Sequence, residues 1–127
     1  MIRNIFGKMK DESYMEHEMK LQPEYYDFIL NGTKRIEIRL FDEKRQQIKI
    51  GDIIKFYKEP KLKDTFRAKV IGLLRYNSFY DMFKDLDISI LADVSMTKNE
   101  LMDELCRFYT VDNQLKYGVI GIRIELL

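Results

Sequence analysis

The stretch NGTKRIEIRL at residues 31–40 joins a helix end, a tight turn and a strand with alternating charges. Gly32 follows an apolar run, as does the left-handed glycine that commonly ends a helix. After the turn, apolar and charged residues alternate strictly, so Glu37 and Arg39 share one strand face with Cα atoms about 7 Å apart. Lys34 lies where the chain is still leaving the turn, and alternation does not fix its direction. We predict a strand interior to the sheet, with buried isoleucines and a charged face that opens on a cleft.

Outside this stretch, short strand patterns alternate with short helical ones. Strands are predicted at residues 14–21, 53–57, 66–76 and 119–127. Helices are predicted at residues 23–31 and 78–91 and after the capping box at 97–100. Strands dominate the expected core, which favours an α+β fold on a small β-barrel of about five or six strands with three or four helices. Residues 1–13 show no period and are predicted to be a flexible or loosely docked lead, followed by a single domain at 14–127.

Composition restricts the classes of function. The chain has 127 residues, which is enough for one core, and a formal net charge of +1, so any basic patch must be local. No apolar run of membrane-spanning length and no signal-peptide core is present in the sequence. A single cysteine and a single histidine exclude an internal disulfide and a Cys/His zinc site. We therefore expect a cytoplasmic protein without a metal or cofactor.

The capping box sets the register of the last predicted helix, which should end near Tyr109. That register places Leu101, Leu105, Cys106 and Phe108 toward the core. Cys106 is therefore expected to be a buried, inert thiol that reacts slowly in the native protein. His17 is interpreted as a strand histidine, and a Cys/His nucleophile pair is not favoured.

The spacing Gly-x-Lys-x-x-Glu-x-Arg at residues 32–39 resembles the signature of the ASCH domain family. A Gly-Asp turn at 51–52 and the closing strand YGVIGI at 117–122 follow in the same order, and the resemblance extends from about residue 20 to 127. ASCH domains are small β-barrels similar to the PUA class of RNA-binding modules. The resemblance implies a cleft that binds RNA or a nucleotide-like or nucleoside-like ligand. The residues expected to contact it are Lys34, Glu37, Arg39, Arg75, Tyr76 and Tyr117.

The three signature charges have a specific chemistry and a plain alternative. A lysine whose pKa is lowered by burial can act as a base, and Glu37 can accept or deliver a proton. Arg39 can hold a phosphate or carboxylate through two parallel hydrogen bonds. The alternative is a solvated strand face with a surface ion pair that contributes about 0–1 kcal/mol.

A second candidate surface combines cations with aromatic rings, as nucleic-acid sites do. Its members are Lys55, Tyr57, Lys58, Arg67, Lys69, Arg75 and Tyr76. The alternative is that the rings belong to the core and the lysines to the wet face of the strands.

Two other functions remain open. Some bacterial ASCH members remove the acetyl group of N4-acetylcytidine, with the signature lysine, a threonine nucleophile three positions later and a more distant glutamate. Lys34 matches the lysine, Glu37 stands at the threonine's position, and Asp93 is the nearest acidic residue we can assign to the glutamate. A carboxylate at that position can activate water but cannot form the hydroxyl-derived acyl intermediate. One alternative is therefore a hydrolase that uses Lys34 and Glu37, either an amidohydrolase or a ribonuclease. The other is a protein-interaction module that docks through its charged strand.

Overall fold

A computed structural model describes residues 14–127 of the chain, so the predicted lead at 1–13 lies outside the described residues. The strands are β1 (Glu16–Leu21), β2 (Ile36–Leu40), β3 (Ile53–Lys58), β4 (Thr65–Tyr76) and β5 (Val119–Leu126). The helices are α1 (Pro23–Leu30), α2 (Phe79–Asp85), α3 (Ile88–Leu91), α4 (Lys98–Phe108) and α5 (Val111–Tyr117), with a 3₁₀ turn at Arg45–Gln47. The α+β class is confirmed. The predicted helix count omitted α5, which begins at a Thr110 cap and ends at Gly118.

The five strands form one curled sheet, a half-barrel, in the order β1-β3-β4-β5-β2. β1 runs parallel to β3, and the other neighbours are antiparallel. β2 pairs with β5 alone among the described strands, so the prediction that it is interior to the sheet was wrong. The two ends of the sheet are instead linked by a side chain, since Arg39 Nη2 donates to the Lys20 carbonyl of β1 at 2.9 Å.

The core consists of two clusters on opposite faces of the sheet. The barrel cluster includes Leu21, Phe56, Val70, Ile120 and Ile122. The helix cluster includes Ile36, Ile38, Phe79, Leu91 and Leu101. The β2 isoleucines are buried in the helix cluster, as predicted, and each fully buried one contributes roughly 1.5–3 kcal/mol. Both faces of β2 are therefore covered, which is why its charged side chains are removed from water.

The β2–β5 register fixes which way the charged face of β2 points. Glu37 lies opposite Ile122 and Arg39 opposite Ile120, and both isoleucines belong to the barrel cluster. Directly opposed residues on neighbouring strands share a face. Glu37 and Arg39 thus stand at the end of the barrel interior, on the opposite side of β2 from Ile36.

Helix α4 has the predicted capping box and ends before Tyr109, but its predicted buried face was partly wrong. Leu101 is buried, whereas Cys106 is exposed and Phe108 is 60% exposed. Cys106 lies roughly 140° around the helix axis from Leu101, on a different face. Phe108 shares the face of Leu101 but is the last residue of the helix, where α4 extends beyond the core.

The Gly-Asp turn before β3 is held by a buried carboxylate. Asp52 accepts hydrogen bonds from the amides of Met15 and Lys49, at 3.1 and 3.0 Å, and from the His17 ring at 2.8 Å. Burial raises the pKa of Asp52, but these hydrogen bonds outweigh it and the net pKa lies below the ordinary value. His17 is therefore a structural residue of β1, as interpreted from the sequence.

Each helix within residues 14–127 is too short or too polar to span a membrane.

Candidate functional site

Lys34 is a buried lysine whose ammonium group is surrounded by acceptors. Its side chain is 3% exposed, and Nζ donates to the carbonyls of Ile36 and Leu91 at 2.6 and 2.7 Å. The turn at Gly32, with φ of +85°, and a bond from the Lys34 amide to the Phe28 carbonyl aim the side chain inward. Burial lowers the pKa of Lys34, and the neighbouring Glu37 carboxylate partly opposes this effect.

Glu37 is a buried carboxylate between two cations. Its Oε2 accepts from Arg39 Nε at 2.7 Å, and its Oε1 lies 3.5 Å from Lys34 Nζ. The side chain is 6% exposed, so the strand face is not the solvated surface of the plain alternative. We call Lys34, Glu37 and Arg39 the charged triad.

Arg39 completes the charged triad and joins the two edges of the sheet. Nε binds Glu37, and Nη2 binds the carbonyl of Lys20 on β1. Burial lowers the pKa of the Arg39 guanidinium, but the Glu37 carboxylate and Tyr109 outweigh burial, and the net pKa lies above the ordinary value for arginine. Arginine has five N–H groups, so these two bonds leave others for a ligand.

A cavity of about 150 Å³ opens on the charged triad, and we call it the triad pocket. Lys34, Glu37 and Arg39 all line it. Helix α4 and the residue after it supply Leu101, Glu104, Leu105, Phe108 and Tyr109. The strand's charged face therefore borders a cleft, as the alternation in the sequence predicts.

Tyr25 on α1 is a polar group in this pocket that the sequence analysis did not find. Its hydroxyl is buried and has no hydrogen-bond partner within residues 14–127. Burial, followed by the charges of Glu104, Glu24 and Glu37, raises the pKa of Tyr25 to about 12. The phenol therefore stays protonated at neutral pH and can donate to, or accept from, a ligand. Buried polar groups without partners are uncommon and carry a cost of desolvation.

The other predicted contact residues lie outside the triad pocket. Arg75 is exposed, with its guanidinium 3.9 Å from the centroid of the Phe41 ring. Tyr76 donates to Asp85 at 2.6 Å, and burial raises its pKa to about 12. Tyr117 packs against the helix cluster, as Tyr76 does. The structure thus brings together three of the six predicted contact residues.

Asp93, assigned to the distant glutamate of the acetylcytidine hydrolases, also lies elsewhere. It caps the turn at Ser95, whose amide donates at 2.9 Å, and hydrogen bonds from the Ser95 side chain and then its amide lower the pKa of Asp93. The carboxylates that line the triad pocket besides Glu37 are Glu59 and Glu104. Within the described range, no group of three or more His, Cys, Asp or Glu side chains is arranged to hold a metal ion.

Two of the five cations of the predicted basic and aromatic surface are held in ion pairs. Arg67 pairs with Glu16 at 3.0 Å, and Lys58 pairs with Asp27 at the same distance. Paired cations have less net charge available for a nucleic-acid backbone. None of the seven residues of this surface lines the triad pocket.

The curled sheet, the helices packed on it and the charged triad at its edge define a PUA-like α+β domain. The chain belongs to the ASCH domain family, whose sequence pattern it matches over residues 19–127.

Solved structures agree with this family assignment. The hypothetical protein PH0355 is 40% identical with a TM-score of 0.78, over 89% of this chain and 100% of that one. Protein PF0455 from Pyrococcus furiosus is 38% identical with a TM-score of 0.71, over 89% and 98%. An ASCH protein from Zymomonas mobilis shares the fold, with a TM-score of 0.57 and 14% identity over 87% and 66%. No curated protein shows significant similarity to the chain.

Proposed function

We propose that this ASCH domain binds a nucleobase-bearing ligand, namely a nucleoside, a nucleotide or an RNA end, in the triad pocket. The observation that carries the proposal is the Glu37 carboxylate, which is buried between two cations and borders a cavity of about 150 Å³. An apolar cavity of roughly this volume accommodates one benzene-sized ring. The site therefore has room for a single pyrimidine ring and supplies a fixed acceptor beside it.

The chemistry of Glu37 favours a base with an amino group. Its two oxygens have about four acceptor positions, and Arg39 and Lys34 use only part of them. Acidic side chains accept from the N4 amino group of cytosine, whereas uracil presents a carbonyl there. Tyr25 can make a further hydrogen bond, because its hydroxyl lacks a partner within the described residues. We therefore expect a preference for cytosine-like bases over uracil.

The hydrolase alternative has less support from the contacts of Lys34. A protonated lysine has three donors, and its surroundings offer the Ile36 and Leu91 carbonyls and the Glu37 carboxylate. Lys34 is thus arranged to hold Glu37 in place and has no donor left for a substrate. The interaction-module alternative has less support too, because Lys34 and Glu37 are buried and are not presented on an open surface.

Calorimetric titration with cytidine, uridine and N4-acetylcytidine tests the proposal, with chromatography of the mixtures to detect a product. Arg39→Lys should weaken cytidine binding by about tenfold or more, because a point charge cannot replace the planar fork. Glu37→Gln should reduce the preference for cytidine over uridine, because an amide donates as well as accepts. Arg123→Lys and Glu125→Gln are the matched controls, since both residues are exposed and neither lines the triad pocket.

The outcomes separate the three functions. Cytidine binding that both triad variants impair, without turnover, supports the proposal. Release of acetate from N4-acetylcytidine would establish the hydrolase alternative. If folded protein bound none of the three nucleosides and no cytidine monophosphate, the proposal would be wrong and the interaction module would become the better hypothesis.

A further inference from the structure

A second, wider cavity adjoins the triad pocket. Its volume is about 600 Å³, and it shares Lys20, Arg39 and Glu59 with the triad pocket. Lys44 and Arg45, at the 3₁₀ turn between β2 and β3, line it further. We call this cavity the basic groove, because four of its lining residues are cationic: Lys20, Arg39, Lys44 and Arg45. Arg39 lies where the two cavities meet, so one ligand can occupy both.

The cations of the basic groove are only partly neutralised. The ammonium groups of Lys20 and Lys44 take part in none of the ion pairs found within residues 14–127. Arg45 Nη1 binds Asp42 at 3.2 Å, but Arg45 Nε is buried without a partner in that same part. Lys20, Lys44 and Arg45 line the same cavity, and charged N–H donors of this kind suit an anion.

The carboxylates of the basic groove are outnumbered by its cations. Glu18 and Glu59 are the two acidic residues among its lining residues. Glu18 already accepts a hydrogen bond from the Tyr57 hydroxyl at 2.7 Å. Glu37 and Asp42 pair with Arg39 and Arg45 from outside the lining, so Lys20 and Lys44 are the groove's cations without an ion pair among residues 14–127.

We infer that the basic groove holds the phosphate of the ligand whose base occupies the triad pocket, so that the preferred ligand is a nucleotide unit and not a free nucleoside. This inference rests on the proposed function. Arg39 lines both cavities: Nε holds Glu37 for the base, and the N–H groups not bound to Glu37 or Lys20 can donate to a phosphate. A phosphate offers oxygen acceptors and negative charge, which Arg and Lys side chains recognise together. The phosphate can belong to a free nucleotide or to an RNA strand.

The test is the ratio of the affinity for cytidine monophosphate to the affinity for cytidine, measured by calorimetry on the whole chain. The 5′- and 3′-monophosphates are titrated separately, because the groove does not define which end of the ribose faces it. We expect at least one of them to bind about tenfold or more tightly than cytidine, the equivalent of one charged hydrogen bond. Raising the ionic strength should reduce this ratio.

Variants test whether the basic groove is the source of this affinity ratio. Lys44→Ala should reduce the ratio several-fold and Lys44→Glu should reduce it further, since Lys44 lines the basic groove and not the triad pocket. Lys63→Ala removes the same charge from an exposed position that lines neither cavity, and it should leave the ratio unchanged. A short RNA with a 3′-terminal cytidine, compared with the monophosphates, identifies the source of the phosphate by its higher or lower affinity.

The inference and the proposed function fail in different ways. If cytidine binds but neither monophosphate binds more tightly, the phosphate site is wrong and the base-binding proposal stands. If the gain from phosphate persists in Lys44→Glu, the phosphate lies elsewhere and the inference is overturned. If neither cytidine nor its monophosphates bind, both are wrong.

Discussion

Replacing Glu37 with glutamine tests whether this carboxylate neutralises two buried cations. Glutamine keeps the size of the side chain and an acceptor for Arg39 Nε, which lies 2.7 Å from Oε2, but it removes the negative charge. Removing one partner of a buried ion pair typically costs about 3–5 kcal/mol, because the other charge is left without compensation. Glutamine keeps the hydrogen bond to Arg39, so we expect the Glu37→Gln variant to lose about 3 kcal/mol of unfolding free energy, the low end of this range.

The loss should depend on pH through Lys34. Burial already lowers the pKa of Lys34 below 10.5, and the Glu37 carboxylate opposes that shift, so its removal lowers the pKa further. A lysine with a lower pKa in the folded than in the unfolded state binds fewer protons when folded, so stability rises with pH between the two values. The rise begins at lower pH in the variant. The difference between wild type and variant should therefore shrink as pH approaches about 10.

Urea denaturation followed by far-UV circular dichroism, repeated from neutral pH to about pH 10, measures both effects. Glu104→Gln is the control, because Glu104 lines the same pocket but its carboxylate forms only a partly exposed ion pair with Arg107 at 3.2 Å. Its loss should change the unfolding free energy by less than about 1 kcal/mol. A Glu37→Gln variant as stable as Glu104→Gln, with the same pH profile as wild type, would refute the assignment of Glu37 as the counter-ion.

Two further predictions concern residues away from the triad pocket. Asp52→Asn should lower the unfolding free energy by about 1–3 kcal/mol at neutral pH, because it weakens three hydrogen bonds to a buried carboxylate. Since the folded pKa of Asp52 is lowered, its contribution is complete above 3.8 and is lost as pH falls through the folded value, so acid denaturation curves of wild type and variant should converge. Cys106 is exposed, so a thiol reagent should label native protein almost as fast as unfolded protein, and Cys106→Ser should change stability by no more than about 0.5 kcal/mol. Slow native labelling would show that the end of α4 packs differently.

Local patterns predicted which residues share a face, but not which strands flank them. The alternation in residues 36–40 placed the isoleucines on one side and Glu37 with Arg39 on the other, and the structure agrees. The same alternation occurs in an interior strand and in an edge strand covered by helices, so it could not show that β2 ends the sheet. The covering is nonlocal, because α3 and α5, which lie much later in the sequence, contact the strand. The error at Cys106 has a different origin, since a capping box fixes where a helix begins but not how far the core extends along it.

The direction of Lys34 shows why the site itself needed the fold. Gly32 predicts a turn before β2, but the sequence does not determine on which side of β2 the Lys34 side chain lies. The acceptor that decides the matter is the carbonyl of Leu91, which the fold brings to 2.7 Å from Nζ although it belongs to α3. The fold likewise brings Tyr25 of α1 into the pocket. The sequence of α1 predicts an amphipathic helix but not that Tyr25 lies near the charged triad. A buried lysine bound to two carbonyls cannot turn toward a ligand without leaving those carbonyls unpaired, so recognition falls to the groups that keep free hydrogen-bonding capacity: Glu37, Arg39 and Tyr25.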